Sequence, residues 1–189
     1  SYQNVNPTCF IHAAETVEAG AEPNLIAREF FQSRSLPSLR LEQLMLSRMM
    51  FFCGGAFVCS YLKDTDFEEQ GAIRDDAEIL IDILRGIAGV RVALILKENG
   101  KGEIRGSLRA KDETDVAQIA RDFGGGGHKA AAGLTYHKSL ADALIEVPTD
   151  VIETCFPEDA EAEVERLCIL IRSLREELDD LSLIHISEP

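Results

Sequence analysis

The chain lacks any pair of cysteines spaced to work together. Its five, Cys9, Cys53, Cys59, Cys155 and Cys168, are odd in number and scattered, with no C-x-x-C among them. Neither a disulfide framework nor a zinc site follows from such spacing, and a reducing, cytoplasmic setting is expected. Long apolar runs are also missing. Stretches such as Val92 to Leu96 fall far short of the roughly 20 residues a bilayer requires, and no charged-then-apolar secretory signal opens the sequence. Positive charge is scarce: 19 lysines and arginines stand against 33 aspartates and glutamates, a formal net charge of −14. That balance argues against a protein that grips long nucleic acid through a broad basic face.

What is present is enough for a folded protein. With 189 residues and 46% hydrophobic content, the chain can build one ordinary domain or two small lobes. The charge is uneven. Between Lys97 and Lys138 eight basic residues face six acidic ones, so this window is +2.

Punctuation by proline and glycine organises the first part into helices. Asn6 and Pro7 open one that stops at Gly20, Pro23 opens a second, and a third begins at Pro37. The texture then changes. Two β-favouring runs flank Gly54 and Gly55, a hairpin signal. An amphipathic helix is expected over Asp75 to Gly89, then two strands around an Asn99-Gly100 turn. Next comes a helix from Glu113 to Phe123 capped by Thr114 or Asp112. A strand is expected from Ala130 to Tyr136. Strands alternating with helices in this order predict an α/β fold, a mixed sheet with flanking helices preceded by helical segments.

Near the end, Ala160, Val164, Leu167, Ile171, Leu174, Leu178 and Leu181 recur at spacings of four and three. Docking of this helix on the chain's own core is favoured over a coiled coil, because the pattern spans only about three heptads. The final SLIHISEP breaks the pattern and resembles translated adaptor sequence, so His185 receives no role.

The stretch that most invites function is FGGGGHKAAAG, from Phe123 to Gly133. Gly124, Gly125, Gly126 and Gly127 sit between a helix and a strand, where backbone amides unshielded by side chains can converge on an anion. An unspecific glycine cluster is otherwise a helix cap and flexible loop. His128 follows at once, able to donate to a phosphate or carry charge near neutral pH. Small residues from Ala130 to Gly133 allow close backbone approach. Upstream, Ser107 and Arg109 occupy alternate positions of a strand and so point to one face. There the arginine can clamp a phosphate or stack on a base, or lie solvated on the sheet.

The residues Gly106 to Gly133 resemble the substrate-binding domain that accompanies DHH-family phosphoesterases, in particular the bifunctional oligoribonucleases that also act as pAp phosphatases. The likeness lies in the S-x-R strand, the helix start and the G-G-G-G-H segment followed by A-A-G. Tyr2 to Pro23 resemble the closing helices of the family's catalytic domain, and Phe30 to Leu46 its interdomain linker. This implies residues 1–35 as the end of a DHH catalytic domain and 36–48 as a linker helix. Residues 49–150 would form the substrate-binding domain, and 151–189 an amphipathic helix with a non-native tail.

The resemblance implies a hydrolase of short RNA and of 3′,5′-bisphosphorylated adenosine (pAp) that uses manganese or a similar divalent metal. In that family the second domain presents its glycine segment, histidine and arginine to substrate phosphates and the terminal base. Carried over, Gly124 to Gly127 and His128 would cradle phosphate while Arg109, with Ser107, holds the nucleotide. No D-H-H triplet occurs in the chain. Asp64, Asp66, Asp75 and Asp76 lie in or beside the second lobe, and His12, among alanines, is read as structural. No metal is therefore expected on this chain's residues, no catalytic residue is assigned, and the chain alone is expected to be inactive. Its expected partners are short RNA or nucleotide phosphates, without a membrane, and a homodimer is allowed. The alternatives are a non-catalytic nucleic-acid-binding module like that of alanyl-tRNA synthetases, or a single-strand exonuclease or cyclic-dinucleotide phosphodiesterase of the same superfamily. A last alternative is an interaction protein working through its heptads.

Overall fold

A computed structural model of the chain describes residues 5–100 and 102–179. Two compact units emerge, residues 1–36 and 37–189. The first holds α1 (Pro7–Glu18) and α2 (Pro23–Phe31). Asn6 caps α1, its Oδ1 accepting from the Cys9 amide at 3.1 Å, and Gly20 ends the turn beyond it at φ +103°. Neither helix has a buried residue. His12 lies on the exposed surface of α1 with Nδ1 3.0 Å from Glu15 Oε2.

The second unit is built on a six-stranded sheet of order β1-β2-β3-β4-β6-β5. Its strands are β1 (Met50–Phe52), β2 (Phe57–Leu62), β3 (Val92–Glu98), β4 (Ile104–Ala110), β5 (Gly126–His128) and β6 (Ala131–Tyr136). β2 and β3 are parallel and every other pair is antiparallel. The mixed α/β sheet expected from the sequence is thus present, including the hairpin turned by Gly54 at φ +63°.

Alternation along the strands sends side chains to two faces, and each face meets different helices. On one, Phe52, Phe57, Leu94, Leu108 and Leu134 pack with Ile119 of α6 (Val116–Asp122), Leu144 and Val151 of α7 (Leu140–Cys155), and Leu167 and Ile171 of α8 (Ala160–Asp179). Leu167 and Ile171 are wholly buried, so the apolar seam of α8 docks on the chain's own core. The side chain of Leu178, and Leu181 with the SLIHISEP tail, fall outside the described side chains and residues.

On the other face, Val58, Leu62, Ala93 and Ile95 pack with Leu41 and Met45 of α3 (Leu36–Ser47), Phe67 of α4 (Asp64–Gln70), and Leu80 and Leu84 of α5 (Leu80–Gly86). This second core contains no residue of β4, β5 or β6. Among the described residues, the half of that face formed by β4, β6 and β5 therefore contributes nothing to this core. The helix expected to be a linker, α3, is part of this core: Ser60 Oγ donates to the Met45 carbonyl at 2.7 Å and Ser38 Oγ to the Asp76 carbonyl at 2.8 Å.

Four local expectations change. The Asp75 to Gly89 helix is a 3₁₀ turn, Arg74–Ala77, followed by the shorter α5. The cap of α6 is Asp115, whose Oδ1 accepts from Ala117 and Gln118 at 3.0 and 3.3 Å. Asp112 instead accepts from the Thr114 amide and pairs with Arg91, because Asp115 directly precedes the first helical residue. α7 continues through residues 150 and 151 without a break. Finally, the glycine run is not a loop: its last two residues and His128 form the edge strand β5.

Candidate functional site

The half of the sheet face formed by β4, β6 and β5 is where the residues singled out from sequence meet. Along β4 the buried Gly106, Leu108 and Ala110 alternate with Arg105, Ser107 and Arg109, which therefore share the open face. Register extends each position into a row. Ser107 pairs with Gly133 of β6, which pairs with Gly126 of β5; Arg109 pairs with Ala131, which pairs with His128. Lys97 of β3 pairs with Arg105, which pairs with Thr135. Residues opposite one another point to the same face, so Lys97, Arg105, Thr135, Ser107, Arg109 and His128 fall in three adjacent rows of this face.

The four glycines do different jobs. Gly124 ends α6 in the left-handed region at φ +71°, and its amide donates to the Arg121 carbonyl at 3.0 Å. The Gly125 amide donates to the Ala120 carbonyl at 2.7 Å. These two amides serve the helix end, which corrects the expectation that all four converge on an anion. Gly125 is also sterically required, since a Cβ there would lie 2.2 Å from the Gly133 carbonyl oxygen. Gly127 has φ +146° and a Cβ would come 2.6 Å from the Ala131 oxygen. Gly126 differs. It lacks a positive φ, and a Cβ would meet nothing within 4 Å. Its partner Gly133 is similar, with only the Gly106 oxygen at an ordinary 3.6 Å. Packing asks for neither glycine, yet together they leave bare backbone beside Ser107.

A cavity of about 560 Å³ opens beside this bare patch, lined by Ser107, Gly125, Gly133 and Thr135 and by the cations Arg74, Lys97 and Arg105. It falls within the size of small-ligand sites. Arg74 is fixed: it donates to the Glu98 carbonyl at 2.6 Å and pairs with Asp64, whose Oδ2 accepts from the Gly100 amide at 2.8 Å. Glu98 also lines the cavity, and burial pushes its carboxyl above the ordinary range despite the Asp64 amide donated to it at 2.8 Å.

Arg109 and His128 do not line the cavity; they occupy the adjoining row on the same face. Arg109 is 3.8 Å from Asp82 of α5 and donates to the Leu108 carbonyl at 3.0 Å, while His128 is exposed. The turn after His128 is held down. The Ala130 and Lys129 carbonyls accept from Ala110 and Val116, each at 3.0 Å, and Lys129 Nζ pairs with Glu113 at 2.6 Å. Gly124 and Gly127 act through backbone shape alone. Three cavity cations were not singled out from sequence. Lys97 and Arg105 left a trace in the locally basic window and in the alternation with Ser107, whereas Arg74 reaches the site from a distant turn that no local pattern announces.

Among the described residues no group of three or more histidine, cysteine, aspartate or glutamate side chains is arranged to hold a metal ion. The residues present do not fit a divalent metal pair, and no chemical step is assigned through one. Among those residues, no helix is long and apolar enough to cross a membrane.

An α/β lobe with an open, locally basic sheet face that suits an anion is what these features define. Residues 54–154 match the DHHA1 domain, and the chain belongs to that family, bearing out the resemblance to the domain that accompanies DHH phosphoesterases. It is 29% identical over 134 residues to the bifunctional oligoribonuclease and PAP phosphatase NrnA of Thermus thermophilus, across 71% of this chain and 39% of that protein. In fold it is similar to an exopolyphosphatase-related protein from Bacteroides fragilis, with TM-score 0.72 and 22% identity over 91% of this chain and 47% of the other. A pGpG-specific phosphodiesterase, PggH from Vibrio cholerae, overlaps at TM-score 0.47 and 14% identity, covering 86% of this chain and 54% of that one, too weakly to carry an argument. The chain thus spans less than half the length of the curated relative.

Proposed function

We propose that the chain is the substrate-holding part of a metal-dependent phosphoesterase acting on short oligoribonucleotides and pAp, working in the cytoplasm. In this reading residues 1–35 are the end of a catalytic domain that supplies the metal ligands. The residues of the sheet face bind and orient: Ser107 and the bare Gly126-Gly133 backbone receive a phosphate, and Arg109 and His128, one row away, hold the adjoining nucleotide. Gly124, Gly125 and Gly127 shape the strand that makes this possible. The observation that carries the reading is the pair Gly126 and Gly133, side by side on the open face with no packing reason to be glycine. A surface kept free of side chains next to a hydroxyl and several cations is suited to close approach by an anion.

Gly126→Val tests it. A Cβ there meets nothing within 4 Å and a strand favours valine, so the variant should keep its thermal transition. Titration calorimetry with pAp or a 5′-phosphorylated dinucleotide should then show binding by the parent chain and at least tenfold weaker binding by the variant. Unchanged affinity in a folded Gly126→Val chain would remove the phosphate from this face.

A further inference from the structure

Arg74 is the cavity cation that comes from outside the sheet, and it is held more completely than a solvated arginine needs. It shares the cavity wall with Glu98 and Asn99 as well as with Glu78, Lys97 and Arg105. Its guanidinium lies over the ring of Phe67, 4.0 Å from the centroid. Nη1 donates to the Glu98 carbonyl at 2.6 Å, and Nη2 donates to Asp64 Oδ1. The turn that carries Arg74 is tied down too: Asp76 Oδ2 accepts from the Ile73 amide at 3.0 Å, and the Asp76 carbonyl accepts from Ser38. Among the described residues these contacts engage only two of the several N–H donors a guanidinium offers. The rest of a half-exposed side chain is free for a ligand.

Asp64, the first residue of α4, organises this corner. Its Oδ1 takes Arg74, its Oδ2 accepts from the Gly100 amide at 2.8 Å, and its own amide donates to Glu98 Oε2 at 2.8 Å. The Glu98 carboxyl is thereby engaged by a backbone donor, and Arg74 hydrogen-bonds Glu98 through the carbonyl alone. Two carboxylate oxygens thus serve two donors on separate segments, the Arg74 turn and the hairpin after β3; an asparagine, with one acceptor oxygen, cannot do both. Asp64 does not line the cavity, yet its negative charge next to a cavity cation opposes an anionic ligand. What the carboxylate contributes to binding is therefore geometry.

We propose that Asp64 is a positioning residue that fixes the Arg74 guanidinium at the cavity, so that Arg74 meets an anionic ligand already ordered. Preorganisation of this kind strengthens binding because the side-chain freedom is given up before the ligand arrives. The proposal rests on the reading of the open face as a nucleotide site and adds to it a binding residue, Arg74, and the residue that holds it.

The probe is adenosine 5′-monophosphate, titrated calorimetrically into the chain and its variants. Arg74→Gln should weaken binding about tenfold, the loss of one charge-assisted hydrogen bond. Asp64→Asn removes a negative charge near the ligand, so charge alone would tighten binding; positioning requires that it weaken severalfold. In the Arg74→Gln background the same Asp64→Asn change should no longer weaken binding, an outcome that general loss of structure would not give. Arg74→Lys keeps the charge at an exposed position but cannot reproduce a planar fork laid on Phe67. It should bind nearly as weakly as Arg74→Gln, and it carries the test alone if Asp64→Asn fails to fold. Tighter or unchanged binding in Asp64→Asn, an equal loss in both backgrounds, or parent affinity in Arg74→Lys overturns the positioning role while leaving the Ser107 row standing. No binding by the parent overturns the nucleotide reading of the face and the positioning role with it.

Discussion

At the scale of single residues, what decides the site is which constraints each residue already satisfies. Gly125 and Gly127 are fixed by backbone contacts that no Cβ can share, whereas Gly126 and its partner Gly133 are left for a ligand to explain. The same test singles out Asp150, whose Oδ2 is buried with no hydrogen-bond partner among the described residues. Burial, followed by repulsion from Asp122 and Glu153, pushes its carboxyl above the ordinary range. The sign of the consequence follows from linkage. Below the ordinary carboxylate range both folded and unfolded chains are protonated there, and no penalty exists. As pH rises through that range the unfolded chain releases its proton first, so stability falls until the folded carboxyl ionises as well. Asp150→Asn removes the titration. Melting temperatures followed from acid to neutral pH should show the variant gaining on the parent as pH rises; a constant gap would mean that Asp150 is not held protonated by the fold.

At the scale of elements, legibility in the sequence tracked how local the determinant was. Helices α1 and α2 and the β3-β4 hairpin were readable because Asn6, Pro7, Pro23 and Asn99-Gly100 act on their own neighbours. Helix α4 was not, since its start depends on Asp66, which accepts from the Lys63 amide at 2.6 Å and holds the distant Arg48 at 2.5 and 2.9 Å. Helix α7 was obscured by Pro148, which normally ends a helix but here is buried between Val147 and Val151, where packing sustains the helix around it. Strand β5 was hidden for the opposite reason: glycine has no side chain to announce a strand, and only pairing with β6 makes it one. The seam of α8 was legible as periodicity, and its meaning can be checked. Leu167→Ala should cost about 2–5 kcal/mol of unfolding free energy in denaturant titrations, with an unchanged elution volume on size exclusion. A change of oligomeric state without loss of stability would assign the seam to a partner instead.

At the scale of the whole molecule, the charge distribution sets what kind of nucleic acid this surface can hold. The net charge of −14 repels polyanions at long range, while the open face gathers Lys97, Arg105 and Arg109, each already beside a carboxylate. Attraction is therefore confined to a few contacts within one cavity and its adjoining row. Counterion release makes that measurable, because each phosphate neutralised on a single strand contributes roughly −0.7 to the slope of log K against log salt. Two or three contacts give a slope of about −1.5 to −2. A 5′-phosphorylated di- or trinucleotide titrated between low and moderate salt should follow that shallow line, and lengthening the strand should not steepen it, since the overall charge of −14 opposes further phosphates. A slope that grew with strand length, or transfer RNA bound with a steep dependence, would replace the short-nucleotide reading with that of a nucleic-acid-binding module. Such a result would also require the basic contacts to extend well past the rows of Lys97, Ser107 and His128.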